Sequence, residues 1–386
     1  MWVGSSSSEL QMETQWVLFN LCELNSYVLL IPLIEGRFRS ALHPGPDNQM
    51  MIWAESGSNQ VQASSFKAIA YVHFGDNPYN LMKEAFTSIR VHLNTFRLLE
   101  EKSLPSFVDK FGWCTWDAFY LTVDPRGVWH GVNDFYDGGF SLRFLIIDDG
   151  WQSIDFDGGR TENLVIGGQQ MTARLYRFEE CDRFRKYKPG SFLGKNCPSY
   201  DTNRTKMLIS KQCEVEQAEK ARCKALRSGN SVEVSILDAK IARLREELDE
   251  LYNGFKDDVD ETDQNCCGSE VGFKAFTRDL RMRFGGLDDI YVWQALCGAW
   301  GGVRPGATQF ESKVMPVKVS PGLDGTMEDL AVVKIVEGGI GLVHPDQVTG
   351  FYDAMHSYLS SVGITGAKVD VIHVSFSPFT TIYSCI

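Results

Sequence analysis

The chain has 386 residues, 44% hydrophobic and 23% charged, which suits a globular protein of two or three domains and excludes a disordered chain. A net charge of −12 and a pI near 5.1 exclude the basic surface that a nucleic-acid or anionic-membrane partner requires. Ten scattered cysteines form no C-x-x-C pair with a second Cys or His pair, so no metal site and no small disulfide scaffold is expected.

The opening MWVGSSSSELQMETQ has no basic start and no apolar core, and so does not read as a signal peptide. The longest apolar run, YVLLIPLI at 27–34, is too short to span a bilayer. A cytoplasmic protein is expected. Residues 1–105 read as strands, among them TQWVLFNL, SYVLLIPLIEG, QMMIWAES and SFKAIAYVHFG, rich in β-branched and aromatic residues with turn residues between them. A helix follows over 77–96, begun by Asn77-Pro78 and carrying Leu81, Ala85, Phe86, Ile89 and Leu93 at helical spacing.

From residue 106 to 386 the texture changes to short apolar strands alternating with helical segments, the mark of a parallel α/β sheet or barrel. Four candidate strands are FGWCTWDAF (111–119), FLIIDDGW (144–151), IYVWQALCGAW (290–300) and ITGAKVDVIH (364–373). A charge-rich insertion over 200–270 interrupts them. Its segments at 206–227 and 235–255, joined by SGNS, predict an antiparallel helical hairpin followed by a solvated acidic loop.

In a parallel barrel the C-terminal strand ends carry the chemistry, and there stand Asp148, Asp149 and Asp370 together with Trp113, Trp116, Trp151 and Trp300. Carboxylates accept hydrogen bonds from hydroxyls, and indole faces cover the C–H faces of a pyranose, so the set suits a sugar. Each piece also has a structural reading. Paired aspartates cap helices, tryptophans fill cores, KVD (368–370) can be a surface ion pair, and His373 suits packing. GGIGLVHP (338–345) fits neither nucleotide-loop pattern. The coincidence of four strand ends in succession favours a site.

The stretches DKFGWCTWDAFYLTVDPRGVW, LIIDDGWQSI, DDIYVWQALCGAWGGVRP and GAKVDVIH resemble the plant stachyose synthase, raffinose synthase and alkaline α-galactosidase group, glycoside hydrolase family 36 of the α-galactosidase clan. The likeness runs from about residue 10 to 373. The insertion, with RLYRFEECDRFRKYKPG before it, is most similar to the stachyose-synthase branch.

The resemblance implies α/β plus β architecture: part of an N-terminal β-sandwich, then an incomplete (β/α)8 TIM barrel with the helical hairpin inserted. It implies transfer of an α-galactosyl group from galactinol to raffinose, giving stachyose and myo-inositol, by a retaining double displacement without metal or organic cofactor. Transfer to sucrose or to water are the alternatives. On this chain the resemblance makes Asp370 the nucleophile and Lys368, on the same strand face, a sugar ligand. Asp148 and Asp149 become the pair that grips the galactose O4 and O6 hydroxyls. Trp113, Trp116 and Trp300 become walls of the donor pocket, and Trp151 with Gly150 lets the sugar approach closely. The group's acid/base aspartate lies on a later strand than any seen here, and VSFSPFTTIYSCI (374–386) departs from the group's continuation. The chain therefore reads as a truncated form, inactive as written or a galactoside-binding pseudoenzyme.

Overall fold

The computed structural model describes residues 3–56, 60–157, 168–193, 199–256, 270–319 and 330–372. His373, the tail 374–386 and residues 257–269 of the acidic loop lie outside them. The described chain falls into two compact units, residues 3–105 with 318–319, and residues 106–317 with 330–372.

In the first unit, β1 (Val17–Leu21), β2 (Ser26–Pro32) and β5 (Ala70–Gly75) form an antiparallel sheet, while β3 (Arg39–Pro44) and β4 (Met50–Glu55) pair as a hairpin. The helix α1 (Pro78–Leu93) starts where Asn77 accepts the Tyr79 and Asn80 amides, with Pro78 in the first turn. Its Leu81, Ala85 and Ile89 fall on one stripe and bury against Leu29, Ile31 and Leu33.

The second unit is built on a four-stranded parallel sheet in the order β6 (Gly112–Cys114), β7 (Phe144–Ile147), β10 (Asp289–Ala295) and β13 (Gly366–Asp370). These are the cores of the four stretches singled out in the sequence. The first is shorter than its apolar run: after Thr115 the chain turns, and Trp116–Phe119 is the helical turn α2. Helix α3 (Pro125–Asp137) links the first pair of strands. Two antiparallel ribbons not anticipated from sequence, β8 (Gln152–Asp155) with β9 (Arg174–Glu180) and β11 (Ser312–Met315) with β12 (Ile340–Val343), fill connections. The remaining helices are α4 (Asp182–Arg185), α5 (Thr202–Arg227), α6 (Ser231–Lys256), α7 (Gly272–Arg283), α8 (Leu330–Gly338) and α9 (Val348–Ser361). Ion pairs Arg222–Asp238 and Lys211–Glu247 tie α5 and α6 together antiparallel. No helix among the described residues is long and apolar enough to cross a membrane.

Register decides which side chains meet. Paired residues of adjacent parallel strands share a face, and successive residues alternate. Trp113 is in line with Leu145, and Leu145 with Ile290. That face, with Ile147 and Val292, packs against Val128 and Trp129 of α3, Phe273 and Phe276 of α7, and Leu359 of α9. The opposite face carries Gly112 and Cys114, Phe144 and Ile146, Tyr291 and Trp293, and Gly366 and Lys368 in register. Small residues alternate there with rings: a Cβ on Gly112 would sit 2.4 Å from the Phe144 ring and one on Gly366 2.2 Å from that of Tyr291. Gly366→Ala is therefore expected to cost about 1–3 kcal/mol by overpacking. Gly285→Ala, which meets nothing within 4 Å, should change stability by less than about 0.5 kcal/mol. Urea unfolding of both variants checks the contrast.

Candidate active site

The C-terminal ends of β7 and β13, either side of β10, bring together Asp148, Asp149, Lys368 and Asp370. Asp148 is 2% exposed and Asp149 3% exposed. Each carboxylate has its own set of donors. The Lys368 ammonium donates to Asp148 Oδ2 over 2.7 Å, and the Cys114 thiol donates to the same oxygen over 3.1 Å. The Asp149 amide donates to Asp148 Oδ1, and the Asp148 amide to Thr115 Oγ1. The Trp300 indole N–H donates to Asp149 Oδ2 over 2.8 Å, and the Gly150 amide to Asp149 Oδ1 over 2.7 Å. The Trp293 indole N–H donates to Asp370 Oδ2 over 3.2 Å, and the Val371 amide to Asp370 Oδ1 over 2.8 Å. The two indoles stack on each other, centroids 6.0 Å apart and planes 24° from parallel.

Backbone conformation sharpens the presentation. Gly150 has φ +109°, and a Cβ there would lie 2.5 Å from the Leu121 carbonyl oxygen, so only glycine lets the aspartate turn approach that loop. Val371, directly after Asp370, has φ +55°, an uncommon conformation for a β-branched residue and the kind of strain found at functional sites.

Charge follows from this packing. Burial raises Asp149 from 3.8 to about 7, and the charges of Asp148 and Asp370 push the same way against the N–H donors of Trp300 and Gly150. Burial pushes the Cys114 thiol up to about 11, with Asp148 adding to the rise. For Lys368, burial works downward but the Asp148 hydrogen bond and charge outweigh it, so the ammonium titrates above its ordinary value and stays charged. Lys368→Met strands a buried carboxylate. Because the lysine side chain is 38% exposed, the expected cost is reduced to about 1–3 kcal/mol. A double-mutant cycle with Asp148→Asn isolates the coupling; additive effects would show that the pair contributes nothing.

The structure does not bring every sequence candidate to these carboxylates. Trp113 lies on the helix-facing side, its ring over Gly131 of α3 and beside Phe119 and Phe135. Trp151 is 3% exposed in the core, its ring against Phe273 and its N–H donated to the Trp293 carbonyl. Trp116 stands at the strand end with Tyr120 and packs with the apolar stripe of the α5–α6 hairpin. Trp293, Cys114 and Thr115 are contacts that sequence reading missed. The parity of Trp293 with Lys368 was the available signal, but it needs the β10–β13 register to be read. Among the described residues no group of three or more His, Cys, Asp or Glu converges to hold a metal ion.

A parallel α/β unit with an acidic, indole-bonded cluster at its strand ends defines the class. Residues 1–377 match the family described as raffinose synthase or seed imbibition protein Sip1, and the chain belongs to that family. It is 57% identical over 376 residues to stachyose synthase of Pisum sativum, an alignment covering 96% of this chain and 44% of that one. It is 56% identical to a probable galactinol–sucrose galactosyltransferase of Arabidopsis thaliana, with 96% and 43% of the two chains covered. The galactinol–sucrose galactosyltransferase of Pisum sativum is 40% identical, over 97% of this chain and 38% of its own. The chain thus spans less than half the length of these relatives.

Proposed function

We propose that the chain carries the donor-binding and nucleophilic part of a retaining galactosyltransferase, moving an α-galactosyl group from galactinol to raffinose. Its parallel sheet is read as the first four strands of a (β/α)8 barrel, and the first unit as part of a β-sandwich. The observation that carries the reading is the convergence of three separately held carboxylates and one lysine at the ends of β7 and β13, the two strands that flank β10. Asp148 and Asp149 would accept the O4 and O6 hydroxyls of galactose, with Lys368 balancing Asp148. The Trp300 face would cover the ring. Asp370, both oxygens already hydrogen-bonded, would attack the anomeric carbon as a carboxylate while the bond to the inositol oxygen breaks. The product of that step is a β-galactosyl ester. The leaving oxygen takes a proton from an acid outside the described residues. The conjugate base then deprotonates the raffinose hydroxyl that displaces Asp370, giving an α-linked product. Sucrose or water in place of raffinose would follow the same path, and acceptor choice lies outside this cluster.

Two assays test the reading. On the chain alone, calorimetric titration should detect α-galactosides more tightly than α-glucosides. For turnover, residues 1–372 replace the matching region of the pea stachyose synthase, and the chimera is assayed with galactinol plus raffinose, sucrose or water. A folded chimera that neither transfers nor hydrolyses galactinol would sink the proposal, whereas galactoside binding without any turnover would favour a pseudoenzyme.

A further inference from the structure

We infer that Arg183 is a positioning residue for the Asp148–Asp149 turn, and that the α5–α6 hairpin serves the site through it. The inference rests on the sugar-binding reading above only for its functional meaning.

The guanidinium of Arg183, on the short helix α4, is partly buried between three segments. Its Nη2 donates to the Leu121 carbonyl over 2.9 Å and also to the Gly150 carbonyl. The Gly150 amide in turn holds Asp149 Oδ1. One residue, Gly150, thus holds Asp149 through its amide and Arg183 through its carbonyl, in two successive peptide units. The next carbonyl, that of Trp151, accepts from the Cys181 amide just before α4. The third segment is the hairpin, whose Tyr252 packs in the apolar cluster that holds Leu121 and stands, with Asp124 and Cys181, among the ionisable groups around the guanidinium.

The hairpin's packing follows the same route. Leu208, Val215, Ala218, Ile241, Leu244 and Leu248 bury against Leu121 and Trp116 in the loop after β6. On its other side Cys223 packs with Met171, Leu330 and Ala331, a cluster that Trp300 also touches. Glu219 of α5, 3% exposed, pairs with Lys334 of α8 and Arg245 of α6. A surface decoration would need none of these contacts. A strut that fixes the loops after β6, β7 and β10 needs all of them.

The test reads Asp149 directly through its partner. The indole Nε1–H resonance of Trp300 is followed by NMR from about pH 5 to 9 in the chain itself, where Asp148 and Asp370 are the carboxylates facing Asp149 and Lys368 is the cation beyond Asp148. Loss of positioning admits water to Asp149 while the Trp300 N–H still reports on it, so Arg183→Leu should lower the midpoint by about one unit or more. Loss of a nearby positive charge alone would raise it. A raised or unchanged midpoint overturns the inference. Arg183→Lys, keeping a donor and the charge, should restore it. Exchange of the Gly150 amide proton is the second measurement: it should accelerate about tenfold or more in Arg183→Leu and also in Tyr252→Ala, which removes the ring packed with Leu121. The Tyr252→Ala result stands even where Arg183→Leu fails to fold, and unchanged exchange in it refutes the hairpin's part. Absence of galactoside binding by the wild-type chain would refute the sugar reading while leaving both NMR readouts decisive for Arg183.

Discussion

Asp370→Ala, placed in the chimera with the pea relative, is expected to abolish transfer and hydrolysis together, with kcat falling about 10⁴–10⁶-fold, the scale on which nucleophile removal acts elsewhere. The two losses must be equal. Transfer and hydrolysis share the first displacement and differ only in which hydroxyl attacks afterwards. The geometry supports proposing Asp370 rather than a neighbour for this role. Asp148 is committed to the Lys368 ammonium and Asp149 is raised to about 7, so both are poor candidates for a free carboxylate nucleophile. Asp370 sits at the end of β13, partly buried, with an indole N–H and a backbone N–H on its oxygens. Alanine also opens space beside the anomeric carbon. Azide should enter it and restore cleavage of an aryl α-galactoside with an activated leaving group, giving a β-galactosyl azide. Retained hydrolysis in the alanine variant, or an α-azide product, would show that another group is the nucleophile.

Much of this centre was legible as a list of residues and little of it as geometry. The DDGW and KVD stretches stand out because a buried apolar strand runs straight into charge, which chains avoid unless the charge is partnered. Strand existence was legible for the same reason, and α1 because Leu81, Ala85 and Ile89 repeat at helical spacing. Strand parity was not. Trp113 and Cys114 are adjacent in one stretch, yet the first faces α3 and the second faces Asp148. A one-residue change of register would exchange them, and nothing in a three-residue strand fixes register locally. Trp293 and Trp300 illustrate the same limit. Both lie in IYVWQALCGAW, but only the pairing of Trp293 with Lys368 places its N–H on Asp370. Arg183 was hidden further still, since its partners lie 33 and 62 residues away.

Asp149→Asn is expected to strengthen the fold and weaken the site at once. A carboxyl raised from 3.8 to about 7 keeps its proton in the folded protein while the unfolded chain has lost it. Stability therefore falls as pH rises from about 4 to about 7 and is level beyond, the sign set by the folded state binding the extra proton. At pH 8 the buried charge costs up to about 4 kcal/mol on a scale of about 1.4 kcal/mol per pKa unit. Asparagine removes that cost but must turn its NH₂ toward the Trp300 or the Gly150 donor, a mismatch of about 1–3 kcal/mol. A net gain of about 1–3 kcal/mol at pH 8, with a flattened pH dependence, is the expected unfolding result. Binding should move the other way. A galactose hydroxyl donated to the carboxylate favours its ionised form, so wild-type galactoside affinity should rise as pH passes through about 7. The asparagine variant should lose that rise and bind galactosides about 10–100-fold more weakly, with glucosides much less affected. Such a trade of stability for function is common where a charge is kept buried for use. Equal weakening of galactosides and glucosides would remove Asp149 from hydroxyl recognition, and an unchanged pH dependence of unfolding would refute the account of its burial.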